Sequence, residues 1–387
     1  MNTRNNILFL YDFAIDHTNR GCQALTYGSI AFIKKKIQHA DEYEWIVPAY
    51  CFKKRPDDVY TVESEGKIVK IKKRYYFLPE ILFSLLFYRL FNKSIFNTSF
   101  AKDLKRLDYV TNISGGDGFS DIYSPLTFLI LVWPSLVAVF LRKKLIVMPQ
   151  TIGPFKNLFV KRVAHYILKG AHQVYVRDLV YAKKLEELNV NYIFNYDVSY
   201  YMKPKPVNFR IKDEAIGINI SGLTYYNHYK NLSGRFEFYG ELIKKVIVSF
   251  QEKGIPVYLV PHTYNYQVPE LNSDDLQASK DIYDLLHDKE NVFVINEDLV
   301  APELKYVISQ FDFFIGTRMH ANFAAIYTKT PVYGLAYSYK FSGSFDLYGL
   351  NENYSSVIDI TKEDVDRIVD RIQQVYNNRL NIKFLIN

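Results

Sequence analysis

Phe313-Phe314-Ile315-Gly316-Thr317-Arg318-Met319-His320 is an apolar run that stops at a glycine and passes into a polar turn. His320 to Thr328 then carries helical patterning, and Val332 to Ala336 is apolar again. Strand, helix and strand in that order make a βαβ unit, the repeating element of a parallel sheet with crossover helices. The rhythm continues upstream, with strands predicted at Ala215 to Ile220, Val257 to Pro261 and Val292 to Ile295. Helices are predicted over Glu237 to Lys253, Asp274 to Leu286 and Ala301 to Ser309. The first half repeats the scheme, with strands at Ile7 to Tyr11, Trp45 to Pro48, Tyr109 to Ser114, Leu145 to Pro149 and Gln173 to Val176, and helices over Asn157 to Lys169 and Leu179 to Leu188. The fold class is therefore α/β.

A chain of 387 residues is long for one hydrophobic core. The pattern breaks at Lys203-Pro204-Lys205-Pro206, a proline-rich linker. Residues 1–204 and 205–361 are expected to be two Rossmann-like, doubly wound parallel-sheet domains facing a cleft, and 362–387 a C-terminal segment whose helix, Lys362 to Tyr376, crosses back to the first domain.

Composition narrows the classes of function. The 49% hydrophobic and 23% charged fractions belong to a folded globular chain, not a disordered one. Two cysteines, Cys22 and Cys51, are too few for a disulfide framework, and no Cys/His spacing suits a metal. Ile7 to Tyr11 is too short for a signal peptide, so a cytoplasmic protein is expected. Phe77 to Phe91 contains Glu80 and Arg89, and Leu126 to Leu141 is short of a span and holds Pro134; both are read as buried helices. The net charge of +7 includes a basic stretch at Lys67, Lys70, Lys72, Lys73 and Arg74. It is read as a solvated face, with peripheral contact to anionic lipid at the inner face of the cytoplasmic membrane as the alternative. No nucleic-acid-binding motif accompanies the charge, and nucleic acid is not expected as a partner.

Ligands of open α/β sheets collect beyond the carboxyl ends of the strands, so the turns that follow strands carry the candidates. Gly316-Thr317-Arg318-Met319-His320 brings a permanent cation, an imidazole and free helix-terminal amides to one spot suited to an anion; the bland alternative for His320 is a capping or core histidine. Tyr337-Ser338-Tyr339-Lys340 adds Lys340, either a second cation of the site or a surface lysine. Arg177 can clamp a carboxylate or phosphate, or pair with Asp178 beside it. His262 is a lesser candidate, being a lone loop histidine. In the first half, Asn19 opens the turn Asn19-Arg20-Gly21-Cys22-Gln23-Ala24-Leu25, whose amides suit an anion or an acceptor hydroxyl. Gly115-Gly116-Asp117-Gly118-Phe119-Ser120-Asp121 holds two carboxylates able to orient or deprotonate sugar hydroxyls, unless Asp121 is a helix cap. Gln150 supplies the one side-chain amide of the turn Pro149-Gln150-Thr151-Ile152-Gly153-Pro154.

In order and spacing these segments, together with Asp197, resemble the polysaccharide pyruvyl transferase family. Cys22 stands where many members have Asp, so no role for that carboxylate carries over. The resemblance implies a GT-B-like fold, with the first domain on the acceptor side and the second on the donor side. It also implies transfer of a pyruvyl group from phosphoenolpyruvate to a glycan acceptor, forming a cyclic ketal. Lipid-linked oligosaccharide precursors of an exopolysaccharide or capsule fit as acceptors. Arg318, Arg177 and Lys340 would then clamp the donor, with His320 as acid or phosphate partner and Asp117 as base; Asn19, Asp121 and Gln150 would face the acceptor. No cofactor is expected, phosphoenolpyruvate being a substrate, and a loosely held divalent ion is left open. Two other readings stand beside this one: a GT-B glycosyltransferase using a nucleotide sugar, and a noncatalytic carbohydrate-binding relative.

Overall fold

A computed structural model describes residues 6–11, 13–53, 55–64, 66–91, 98–228, 232–338 and 340–386. Two compact units result: Met1–Ile15 with Leu25–Met202, and Asp16–Ala24 with Lys203–Asn387.

Among the described residues the first unit has eight strands: β1 Ile7–Leu10, β2 Glu44–Cys51, β3 Asp58–Ser64, β4 Lys67–Phe77, β5 Leu107–Asn112, β6 Lys144–Gln150, β7 Gln173–Val176 and β8 Ile193–Phe194. They lie in the order β3-β4-β2-β1-β5-β6-β7-β8. All pairings are parallel except the β3/β4 hairpin. β1 is buried throughout because helices cover both faces. Side chains alternate between the faces along a strand, so Ile7 and Phe9 enter one core with Val110, Leu145 and Val174. Leu8 and Leu10 enter the other with Trp45, Ile146 and the helix Arg20–Lys36.

The second unit holds β9 Ile216–Asn219, β10 Val257–Leu259, β11 Val292–Val294, β12 Phe313–Gly316, β13 Val332–Ala336 and β14 Tyr354–Ser356. This sheet is wholly parallel, in the order β11-β10-β9-β12-β13-β14. From β9 the chain winds one way to β11, then returns to β12 on the other side. The carboxyl ends of β9 and β12 therefore flank the switch point, where such sheets bind ligands. In the first sheet the corresponding pair is β1 and β5.

Four expectations need correction. Lys67 to Arg74 is a strand, and its alternation is the reason: Val69 and Ile71 point inward while Arg74 pairs with Asp103 at 2.6 Å and Asp57 at 3.0 Å, and Lys72 with Glu44 at 2.9 Å. Much of the basic stretch is thus neutralised internally. The final helix, Lys362–Asn377, does not cross back: Val365, Ile368, Ile372 and Tyr376 complete the second unit's core. Asp16–Ala24 packs with the second unit, drawn there by backbone hydrogen bonds and by a bridge between Asn19 and Thr263. Of the two helices read as buried, Pro125–Phe140 buries only the side carrying Phe128, Val132, Ser135 and Ala138. Among the described residues no helix is long and apolar enough to cross a membrane.

The helix Arg20–Lys36 crosses the chain near Val198 only because position 28 lacks a side chain: a Cβ on Gly28 would lie 2.1 Å from the Val198 carbonyl oxygen. Gly28→Ala would ordinarily favour a helix by roughly 1 kcal/mol. Here it should instead destabilise by about 2 kcal/mol through overpacking against backbone, read as a lower Tm.

Candidate functional site

The switch point of the second sheet is organised by Asn219, the last residue of β9, which is fully buried. Its Oδ1 accepts the Arg318 backbone N–H at 2.8 Å, and its Nδ2 donates to the Val260 carbonyl at 2.9 Å. Arg318 is the N-cap residue of the helix Met319–Thr328, and Asn322 ties that helix back to the Gly316 and Arg318 carbonyls. The preceding Thr317 bonds the Tyr239 hydroxyl at 2.7 Å. The helix N-terminus is thereby held rigidly at the strand end.

Arg318 is itself buried. Its Nη2 donates to Asp275 Oδ1 at 2.6 Å and to the Ser273 carbonyl at 3.0 Å, and its Nε lies 3.2 Å from both Asp275 oxygens. Burial disfavours the guanidinium charge, and Asp275 more than restores it, so the group stays above its ordinary value. Asp275 also accepts the backbone N–H groups of Gly222 at 2.9 Å, His262 at 3.2 Å and Thr263 at 2.9 Å. The expected open cation is therefore half of a buried ion pair. Among the described residues, Nη1 is the guanidinium nitrogen without a hydrogen bond.

The segment from Asn19 joins this spot. Arg20 donates its backbone N–H to the His262 carbonyl at 3.0 Å. Its guanidinium binds the Leu299, Thr18 and Tyr264 carbonyls and Asp298, and lies 3.8 Å over the Tyr264 ring. Asn19 Oδ1 caps the Gly21 N–H at 2.8 Å. A Cβ at Gly21 would come 2.7 Å from His320 Nδ1 and 3.0 Å from Asn19 Oδ1, so this glycine serves close approach by the imidazole. His262 is buried, and its Nδ1 has no hydrogen-bond partner among the described residues. Burial first, then the charges of His320, Arg318 and Arg20, hold His262 well below the usual imidazole range.

Arg318, His320 and Asn19 are thus gathered in the second unit. Arg177, Gln150 and Asp117 fall in the first, near Gly116. A Cβ on Gly116 would meet Arg177 Nη1 at 3.1 Å, and the Gly116 carbonyl accepts the Thr151 N–H at 2.9 Å. Arg177 pairs with Asp197, which also caps the Ser199 N–H at 2.9 Å. Gln150 is fully buried and donates to the Asn112 carbonyl at 3.1 Å. Asp117 accepts the Tyr123 hydroxyl at 3.0 Å. Asp121 is neither an open carboxylate nor the cap of its own helix: it accepts the Lys156 and Asn157 N–H groups, each at 2.7 Å, and pins that loop. The Lys340 side chain lies outside the described residues. Asp275, Asn219 and Arg20 were not singled out from sequence; the one available signal was position, Asn219 ending a strand and Asp275 opening a helix. Among the described residues no group of three or more His, Cys, Asp or Glu is placed to hold a metal ion.

A model of the polysaccharide pyruvyl transferase family matches residues 19–339. The chain belongs to the polysaccharide pyruvyl transferase family. The match opens on Asn19, takes in the Asp275–Arg318 pair and His320, and ends one residue before Lys340. Among curated relatives, the amylovoran biosynthesis protein AmsJ of Erwinia amylovora is 22% identical over 322 residues, covering 78% of this chain and 75% of AmsJ. Among solved structures, a UDP-N-acetylglucosamine 2-epimerase described as putative, from Listeria monocytogenes, aligns with a TM-score of 0.55 at 9% identity over 97% of this chain and 90% of that one. The UDP-GlcNAc 2-epimerase of Neisseria meningitidis aligns with a TM-score of 0.51 at 11% identity, over 97% and 94%. These likenesses show the fold, which is GT-B-like with two parallel-sheet α/β domains.

Two outcomes follow for this family member. Asp275→Asn keeps the side-chain shape but strips the buried guanidinium of its counter-charge; a loss of roughly 3 kcal/mol is expected in denaturant unfolding. His262 is neutral in the folded chain at neutral pH, whereas the unfolded chain protonates it near an ordinary value of about 6.5. Its contribution is present above that value and is lost as pH falls toward the depressed folded pKa. His262→Gln should therefore flatten the decline of Tm between about pH 7 and pH 5.

Proposed function

We propose that this chain transfers the pyruvyl group of phosphoenolpyruvate to a sugar of an exopolysaccharide or capsular precursor, forming a cyclic ketal and releasing phosphate. The reading is supported by family membership and by the relative AmsJ, an amylovoran biosynthesis protein. The observation that carries it is the Arg318 guanidinium, buried at a helix N-terminus beside His320 and His262 at the switch point. Phosphoenolpyruvate presents a phosphate and a carboxylate, both matched by guanidinium groups and by helix-terminal amides.

The proposed chemistry balances without a cofactor. His320 protonates the donor's methylene carbon, leaving positive charge at C2, and one sugar hydroxyl attacks there. The phosphate then leaves C2 with its bridging oxygen, and a neighbouring hydroxyl closes the ring. Of the two hydroxyl protons, one restores the acid and the other departs with phosphate. Asp117, the proposed base, takes the acceptor hydroxyl's proton first and gives it up with the departing phosphate. His262, kept neutral by burial, lowers the number of positive charges that His320 must tolerate when protonated.

Phosphoenolpyruvate should raise the Tm of the wild-type chain, since a ligand bound only by the folded state stabilises it. Arg318→Ala should abolish that rise. His320→Ala should keep the rise but lower phosphate release by about 10²-fold or more. A Tm raised by a nucleotide sugar and indifferent to millimolar phosphoenolpyruvate would replace this reading with glycosyl transfer.

A further inference from the structure

One face of the first sheet is covered in part by the helices Leu78–Phe91, Pro125–Phe140 and Leu158–Gly170, which send Leu85, Phe128, Val132, Val160 and Ala164 into a common core. Their outward side is apolar as well. On Pro125–Phe140, Leu126, Ile130, Trp133 and Phe140 are 67%, 65%, 38% and 37% exposed, at the spacing of one helical stripe. On Leu158–Gly170, Leu158 and Phe159 are 72% and 56% exposed, with Tyr166 also exposed. The two helices adjoin: a Cβ on Gly170 would lie 2.3 Å from Val139 Cγ1. The first helix meets the same surface through Arg89, 5.7 Å above the Phe140 ring, and through Tyr88, whose hydroxyl accepts from Lys143 at 3.1 Å.

Along the two helices Pro125–Phe140 and Leu158–Gly170 and the chain that joins them, the charge has one sign. Between Asp121 and Asp178 the sequence contains no acidic residue and eight Lys and Arg. Lys144 and Arg177 are paired with Asp108 and Asp197. The others, Arg142, Lys143, Lys156, Lys161, Arg162 and Lys169, form no ion pair with a carboxylate among the described residues. Exposed aliphatic and aromatic side chains interleaved with unneutralised cations are what an interfacial surface requires: the apolar groups enter the acyl boundary and the cations meet phosphates. Each such cation contributes roughly a fivefold gain in affinity for an anionic surface.

We propose that this helical face of the first unit docks onto an anionic phospholipid bilayer, with Leu126, Ile130, Trp133, Leu158 and Phe159 entering the interface and Lys161, Arg162 and Lys169 contacting headgroups. It is a different surface from the basic strand β4, whose Lys72 and Arg74 are engaged by carboxylates. The proposal does not depend on the identity of the donor.

The full chain is tested on vesicles of phosphatidylcholine containing phosphatidylglycerol, against phosphatidylcholine alone. Binding only to the anionic vesicles, weakened by salt, is expected. Brominated lipid should quench Trp133, whereas Trp45 is buried on the opposite face of the sheet. Lys161→Glu with Arg162→Glu should weaken binding at least about tenfold. Leu126→Ser with Ile130→Ser should remove it with little change in Tm, both side chains being about two-thirds exposed. The proposal is overturned if neither vesicle is bound, or if both variants bind as the wild type does. It is equally overturned if sedimentation shows a dimer that the apolar variant dissociates, which would assign the face to a second copy of the chain.

Discussion

The second unit depends on one buried ion pair. Asp275 and Arg318 lie 43 residues apart in sequence, and removing both charges from water costs more than their attraction alone returns. The structure offsets this by filling the remaining valences of the carboxylate with the N–H groups of Gly222, His262 and Thr263. The pair thus joins the loop after β9, the loop after β10 and the helix following β12 in a single arrangement. A shift of register in any of these would leave a buried charge unsatisfied. Such a constraint holds the end of the sheet rigid.

The first unit uses the same device differently. Arg177 follows β7 and is held by Asp197, with the glycine turn after β5 kept bare so that the guanidinium can lie against it. Gly116 is at φ 88°, a conformation favouring glycine, and its missing side chain also makes room for Arg177. One residue meets two needs there. The carboxylates nearby divide by role: Asp121 is spent on loop backbone, whereas Asp117 accepts a tyrosine hydroxyl and is the one kept for the proposed chemistry.

Pro125–Phe140 shows why burial is hard to read from hydropathy. A helix apolar all round is ordinarily enclosed, and on that reasoning the segment belonged in a core. Only one side of it has a sheet to pack against. The outward residues remain apolar although exposed, and the basic residues that distinguish this surface come from a neighbouring helix and from the chain just beyond. Large exposed apolar patches of this kind mark interaction surfaces.

Local pattern was enough for most of the fold. β7, β12 and β13 fall on the predicted residues because an apolar run bounded by polar turns has one way to be buried in a parallel sheet. Arg318 and His320 were legible for the same reason, since their position just after a strand follows from sequence order alone. The β3/β4 hairpin was missed because the alternation in β4 is carried by lysines, which read first as charge and only second as a two-residue period. The tertiary structure alone decided that Asp275 neutralises Arg318, that Asp197 and not Asp178 holds Arg177, and that the Asn19 segment packs with the second unit. These are contacts between distant residues, set by strand order and register, and no local spacing encodes which carboxylate will arrive beside which cation.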